Sequence, residues 1–472
     1  MTTSAPENRD AHISRRSRDL ASARHPKTPV CAHPGVFTQA PLEAGRAQAL
    51  GRLGNLSRLV ALPGSSTRGS LIPIRWQPHP RTCSGRNMTT LRASCCVMLV
   101  LGGACRPSDE IPAALRVTID SSGTYPVVRS LGVAPRWNAE QVLVLGAPAG
   151  PTEFGSVRSV LLDQAGSLYV VDPSRRTLSI FDSTGRFVRQ LGRDGAGPGE
   201  YRDPYSVAWV DGQLALLDPG NFRLGLYDST GRWKNSWPVS RITGDQGIRL
   251  YRTPPTFWTY GFRSAGAQLE GIFIRYTTAG PGDTLPFIRP ASASASGRLC
   301  ESPGKGIRFF AAPFGAALLQ IPTPSGTRAL ALSTAYRIAF LDSAGDTVRV
   351  IEREIPPTSV SNAEWEEANA GWLKFRRDWP TATCDGGDFS RPAAKPPLAW
   401  LFYDDRGRLW VETVTPDGPR YDVFAESGAL LGSVTGLPAT GGVDPSVARQ
   451  RVAIAGKDSA DIPIIRVFRL SP

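Results

Sequence analysis

His12, His25, His33 and His79 are the four histidines of this 472-residue chain, and all of them precede residue 88. Whatever folds downstream therefore has no imidazole to serve as base, nucleophile or metal ligand. Asp163, Asp211 and Asp404 stand in glycine-containing turn sequence, where an aspartate ordinarily bonds its own backbone rather than doing chemistry. Gly195–Gly199 is no phosphate loop, because the G-x-x-x-x-G-K pattern is missing and no helical pattern follows. What remains is recognition chemistry. Arg175, Arg176, Arg193, Tyr201, Arg202, Asn221, Phe222 and Arg223, together with Glu200, fall in loop segments, and arginine mixed with aromatics is the composition of contact surfaces. The plain alternative for each is a solvated turn residue.

Those loops need a scaffold, and the chain displays one by repeating itself. Leu168–Asp172 followed by Phe181-Asp-Ser-Thr-Gly-Arg-Phe187 returns as Leu214–Asp218 followed by Tyr227-Asp-Ser-Thr-Gly-Arg-Trp233, so that Asp182 and Asp228 lie 46 residues apart. A period of that size is what one four-stranded propeller blade needs. A glycine ruler marks the blades: Gly166 to Gly185, Gly212 to Gly231 and Gly326 to Gly345 are each 19 residues, and Gly407 to Gly428 is 21. A degenerate blade fits residues 247–290. Strands near 450–455 and 462–470, joined by N-terminal strands at 115–119, 127–131 and 142–145, complete a last one. The expectation is an all-β, six-bladed β-propeller over residues 115–472, with seven blades as the competing count if residues 247–310 hold two. One helix interrupts it near 362–379: Ser361 and Glu364 form a capping box, and Trp365, Ala368, Trp372, Phe375 and Trp379 follow at helical steps, packing toward the propeller.

Ahead of the blades the composition changes. Of the net charge of +13, residues 1–87 hold +9 and the rest only +4, so the folded part lacks the basic field that nucleic-acid binding requires. Residues 1–87 read as a disordered or untranslated leader, with Met88 as the working start. Residues 88–104 read as a lipoprotein-type signal peptide, since Cys95–Ala104 is apolar but too short to span a bilayer. Leu101-Gly-Gly-Ala-Cys105 resembles the bacterial lipobox, although Gly102 stands where that motif favours leucine; lipidation at Cys105 and a polar tether over 105–114 follow from it. The implied address is extracytoplasmic, lipid-anchored to the bacterial envelope at the outer membrane or its periplasmic face, with no other membrane attachment. Of the seven cysteines, processing would leave Cys300 and Cys384 as an even pair beyond the lipidated one, and a disulfide is expected between them.

Gly195-Ala-Gly-Pro-Gly-Glu-Tyr-Arg-Asp-Pro-Tyr-Ser-Val-Ala208, then Asp211–Asp218 and Asn221–Tyr227, resemble the NHL-type six-bladed β-propellers. The resemblance is strong over 150–240, recognisable over 315–355 and 398–434, and poor over 245–310. It implies the fold and a habit of binding molecules on the face built by the d–a and b–c loops. Some six-bladed relatives are metal-dependent lactone hydrolases or lyases, which need carboxylate, Asn or His ligands converging on the central channel. The strands expected to line that channel, 157–162, 205–210, 257–262, 316–321 and 398–403, contain none. The resulting expectation is a monomeric, non-catalytic module that binds a protein, peptide or glycan partner, with no nucleic acid, no metal and no cofactor; the alternative is a metal-dependent hydrolase or lyase.

Overall fold

The repeated aspartates show why the repeat exists. In the computed structural model, which describes residues 115–239, 249–265, 268–290, 296–302 and 306–471, Asp172 and Asp218 each end the second strand of a blade with a buried carboxylate. Asp172 accepts the N–H groups of Gly155, Ser156 and Ser174, and Asp218 those of Arg202 and Asp203. Each acid thus pins the loop that leads into its own blade, supplying acceptors to backbone donors that sheet pairing leaves over. Asp182 and Asp228 do the corresponding work in the outer hairpins, accepting from Thr184 and Thr230, while Gly185 and Gly231 take the positive φ that the turn demands.

Six four-stranded blades result, each antiparallel from its innermost to its outermost strand. Blade 1 is Ser159–Leu162, Leu168–Asp172, Thr177–Phe181 and Phe187–Leu191. Blade 2 is Ser206–Val210, Gln213–Asp218, Arg223–Tyr227 and Trp233–Pro238, and blade 3 is Leu250–Thr253, Thr256–Ala265, Gln268–Thr277 and Gly280–Pro286. Blade 4 is Leu318–Pro322, Arg328–Leu332, Arg337–Leu341 and Thr347–Glu352, and blade 5 is Leu398–Tyr403, Leu409–Thr415, Gly418–Phe424 and Leu430–Thr435. Blade 6 takes Ser446–Ala448, Arg451–Lys457 and Pro463–Ser471 from the C-terminal end and its outermost strand, Arg136–Leu145, from near the start of the described chain. The seven-blade count does not apply.

Only one of the three N-terminal segments closes the ring. Arg116–Asp120 and Val127–Leu131 form a hairpin that extends blade 4 instead, with Val127–Leu131 running parallel to Thr347–Glu352. The apolar core lies between blades, in layers such as Ala208, Val210, Leu224 and Phe257 between blades 2 and 3. Around part of the channel, serines knit the inner strands together: Ser446, Ser159 and Ser206 each accept an N–H from the next blade, from Leu162, Val207 and Leu250 respectively.

The helix spans Asn362–Asp378, and the Ser361/Glu364 capping box is formed. Its apolar side meets a small satellite sheet, Gly306–Ala311, Gly297–Ser302 and Thr383–Cys384, where Trp372 and Phe375 pack on Phe310 and Cys300. A blade is thus not the helix's main partner. A disulfide joins Cys300 to Cys384 across that sheet, with Cα atoms 4.1 Å apart. It links the connection after blade 3 to the connection after blade 4.

Candidate active site at the channel mouth

The inner strand of blade 3 is Leu250–Thr253, not the expected segment 257–262, which is the second strand. That shift matters because it brings Arg249, Tyr251 and Arg252 to the channel. Blade 6 adds Asp444, just ahead of its inner strand, and blade 5 adds Trp400. The Arg249 guanidinium donates to Asp444 Oδ1 at 2.8 Å and packs on two aromatic rings, 4.4 Å from the Tyr251 ring centre and 4.6 Å from that of Trp400. Trp400 Nε1 donates to the same Asp444 oxygen at 2.7 Å. Among the described residues, Oδ2 of Asp444 accepts no hydrogen bond.

Arg252 braces the channel from one side to the other. Its guanidinium donates to Val160 O of blade 1 at 2.7 Å, and to Asp444 O and Pro445 O at 3.0 and 2.6 Å. Its hydrogen bonds go to three carbonyls, and the Asp444 carboxylate acts on it only through space. Burial accordingly pulls the Arg252 pKa below the ordinary arginine value, while the Asp444 and Tyr251 neighbours push that of Arg249 up against its own burial. Arg249, Tyr251, Arg252 and Asp444 line a cavity of ≈ 10 Å³, room for about one water molecule. Two donors there are buried and unpaired: Arg249 Nε and the hydroxyl of Tyr251, whose residue is 3% exposed. The Tyr251 hydroxyl sits beside the guanidinium without closing a hydrogen bond, and burial raises its pKa, so it stays protonated at neutral pH. Arg249 and Asp444 keep side-chain exposures of 19% and 15%, which leaves the pair reachable from solvent.

A second concavity of ≈ 470 Å³ lies between blades 4 and 5 beside the helix, floored by Ala317, Leu398 and Val414 and edged by Glu364, Glu367 and Lys395. That volume is of small-molecule size. Leu398 of this concavity and Trp400 of the channel mouth belong to one strand.

The loop residues expected to contact a partner mostly hold the fold. Tyr201 is fully buried against Tyr227, because its ring fills the space beside Gly192, and it is withdrawn as a contact residue. Arg223 donates to the carbonyls of Ala196, Gly197 and Glu200, and Asn221 donates to Gly195 O and Asp218. Arg175, Arg176 and Arg193 pair with Glu153, Asp194 and Glu200, while Arg202 gives its backbone N–H to Asp218. Phe222 takes a left-handed backbone at the turn and is 39% exposed. Asp163 and Asp404 bond their own turns, as expected. Cys105 lies outside the described residues.

The site itself was missed for two reasons. Pro254-Pro255 separates the first two strands of blade 3, and the segment ahead of it carries no glycine ruler to mark it as a strand of its own. The inner strand of blade 6 is only three residues long, too short to show any period.

A metal ion does not fit this donor set. Among the described residues no three His, Cys, Asp or Glu side chains come together, and the carboxylate at the mouth is flanked by two guanidinium groups. A family model described as a six-bladed β-propeller matches residues 152–236. No curated protein matches the chain. Solved structures that resemble it include a Bacteroides fragilis protein described as exported, at 10% identity over 71% of this chain and 99% of that one, with a TM-score of 0.38. Another is a catalytically inactive virginiamycin B lyase of Staphylococcus aureus with quinupristin, at 10% identity over 76% and 89% and a TM-score of 0.34. A third is the PQQ-bound aldose sugar dehydrogenase of Streptomyces coelicolor, at 12% identity over 72% and 100% and a TM-score of 0.36. Likenesses this distant speak to fold and assign no substrate or residue role. The channel mouth gathers Arg249, Tyr251 and Asp444, ionisable side chains that lie outside the strands expected to line it. The expectation of a module that catalyses nothing is corrected on that ground. The chain is a six-bladed β-propeller.

Proposed function

We propose that this protein is a hydrolase or lyase acting on a small molecule by acid–base chemistry at the channel mouth. One observation carries the reading: among the described residues, two buried donors without partners, Arg249 Nε and the Tyr251 hydroxyl, line a water-sized space beside a carboxylate whose second oxygen accepts no hydrogen bond. Buried polar groups are ordinarily satisfied, and those left open cost stability unless a ligand uses them. In the proposed reaction Asp444 Oδ2 takes a proton. For hydrolysis the proton comes from water, whose hydroxide adds to a carbonyl carbon. For elimination it comes from the carbon next to a carbonyl, whose C–H electrons form an enolate; as the enolate collapses they become the new carbon–carbon double bond and the β-substituent departs with its bonding pair. In both, negative charge develops on the carbonyl oxygen, where Arg249 and Tyr251 donate. The proton on Asp444 then passes to the departing group, leaving the carboxylate as it began. The groove beside the helix offers room for the rest of the substrate.

Screening the full chain against ester, lactone and β-substituted carbonyl libraries tests this. Asp444→Asn should reduce turnover by 10²-fold or more, the scale of a lost general base, with metal chelators having no effect. Oxygen from isotopically labelled water enters the product of hydrolysis and not that of elimination. Full activity in Asp444→Asn would refute the assignment.

The finer address belongs to the same proposal: an NHL-type propeller exported and anchored through lipid on Cys105. The apolar run 95–104, whose last four residues Leu-Gly-Gly-Ala lead into Cys105, supports it. Intact-mass analysis of the native protein should find a diacylglyceryl-modified Cys105 as its first residue, and peptides from residues 1–87 would count against it.

A further inference from the structure

We infer that the channel mouth is a monocarboxylate site in which the incoming carboxylate displaces Asp444 from Arg249 and so releases the base; this rests on the channel-mouth reading given under Proposed function and names its substrate class. Charge is the first ground. The described residues lining the cavity bring two guanidinium groups and one carboxylate, a net of +1. Arg252 is hydrogen-bonded only by carbonyl oxygens and shares the field of the one Asp444 carboxylate with Arg249, so one positive charge is left over in a place where water screens little. One additional negative charge would balance the site, and a dianion would overshoot.

Geometry is the second ground. Arg249 spends one nitrogen on Asp444 and leaves Nε–H unused, and the Tyr251 hydroxyl is unused beside it. A planar guanidinium offers its donors in a fork that a carboxylate matches with both oxygens. The Tyr251 and Trp400 rings both pack against the guanidinium, which restrains the fork before any ligand arrives. The pair is only partly exposed, with Asp444 and Arg249 at 15% and 19%, so the exchange occurs at a mouth and not on open surface. Trp400 keeps its own bond to Asp444 Oδ1, which retains the released carboxylate next to the substrate.

Fluoroacetate, with fluoroacetamide as its uncharged counterpart, tests this by ¹⁹F line broadening on the full chain. Fluoroacetate should bind saturably, and fluoroacetamide should not. Arg249→Gln should weaken binding at least 10-fold, and Arg249→Lys, which keeps the charge and loses the fork, by several-fold. Asp444→Asn should tighten binding several-fold, because it removes the competing carboxylate; a merely structural ion pair would give no change or a loss. Circular dichroism confirms that each variant is folded, and the isosteric Asp444→Asn keeps the test open if Arg249→Gln is not. Equal binding of the amide, or weaker binding by Asp444→Asn, overturns the inference. Saturable carboxylate binding with no turnover of any substrate would sink the enzymatic reading alone. Turnover confined to neutral substrates would sink the carboxylate site alone.

Discussion

At the scale of single residues, Asp422 is a buried charge held by side chains from two blades. Fully buried, it accepts from the Tyr336 hydroxyl at 2.8 Å, Arg353 at 2.7 Å and Ser433 at 2.5 Å, with Arg420 alongside. Tyr336 and Arg353 belong to blade 4 and its exit, so this acid stitches two blades together. Asp422→Ala should destabilise by about 3–5 kcal/mol in urea unfolding, because two guanidinium groups would lose their counter-charge in a buried place. Glu364 makes a contrasting prediction. Hydrogen bonds from Lys395, then from Ser361, lower its pKa from 4.5 to about 2. A carboxyl whose folded pKa is depressed stabilises above its unfolded pKa and loses that contribution as pH falls through the folded one. The difference in melting temperature between the native chain and Glu364→Gln should therefore hold above about pH 4.5 and vanish near pH 2. Turn acids such as Asp163 and Asp404 were legible in the sequence because their partners are two to four residues away. The Arg249–Asp444 pair was not, because its partners are 195 residues apart and meet only once the ring exists.

At the scale of elements, regular blades could be read and irregular ones could not. Blades 1 and 2 carry the same Asp-Ser-Thr-Gly-Arg hairpin, so their strands followed from counting. Blade 3 has ten-residue middle strands and no such ruler, and there the counting slipped by one strand. The helix was legible from its capping box and aromatic spacing, but its partner was not, since the satellite sheet comes from two separate connections. The disulfide ties that unit together across 84 residues. Replacing both cysteines by alanine should lower stability by up to about 4 kcal/mol in the loop-closure picture. Hydrogen exchange should rise in Asn362–Asp378 and Gly297–Ser302 before it rises in blade 1, because the unit's small core is Cys300, Trp372, Phe375 and Ala382.

For the whole molecule, the two N-terminal additions have different weights. Arg136–Leu145 is the outer strand of blade 6 and also runs parallel to the outer strand of blade 5. The Arg116–Asp120 and Val127–Leu131 hairpin only widens blade 4. A chain lacking the hairpin should stay folded with a lowered melting temperature. One in which Arg136–Leu145 carries alternating prolines should lose cooperative unfolding, because blade 6 would keep an open edge. Retention of a sharp transition by the proline variant would show that the other blades hold the ring by themselves.

The seam at blade 6 also imposes a timetable. Arg136–Leu145 leaves the ribosome more than 300 residues before Pro463–Ser471, the strand with which it pairs. Through nearly the whole of synthesis it is an exposed strand without a partner, bearing the apolar Val142, Leu143, Val144 and Leu145. Such a nascent chain calls for a holding chaperone. A circular permutant that begins at Ser446, and so makes blade 6 contiguous, should refold with less aggregation than the natural order.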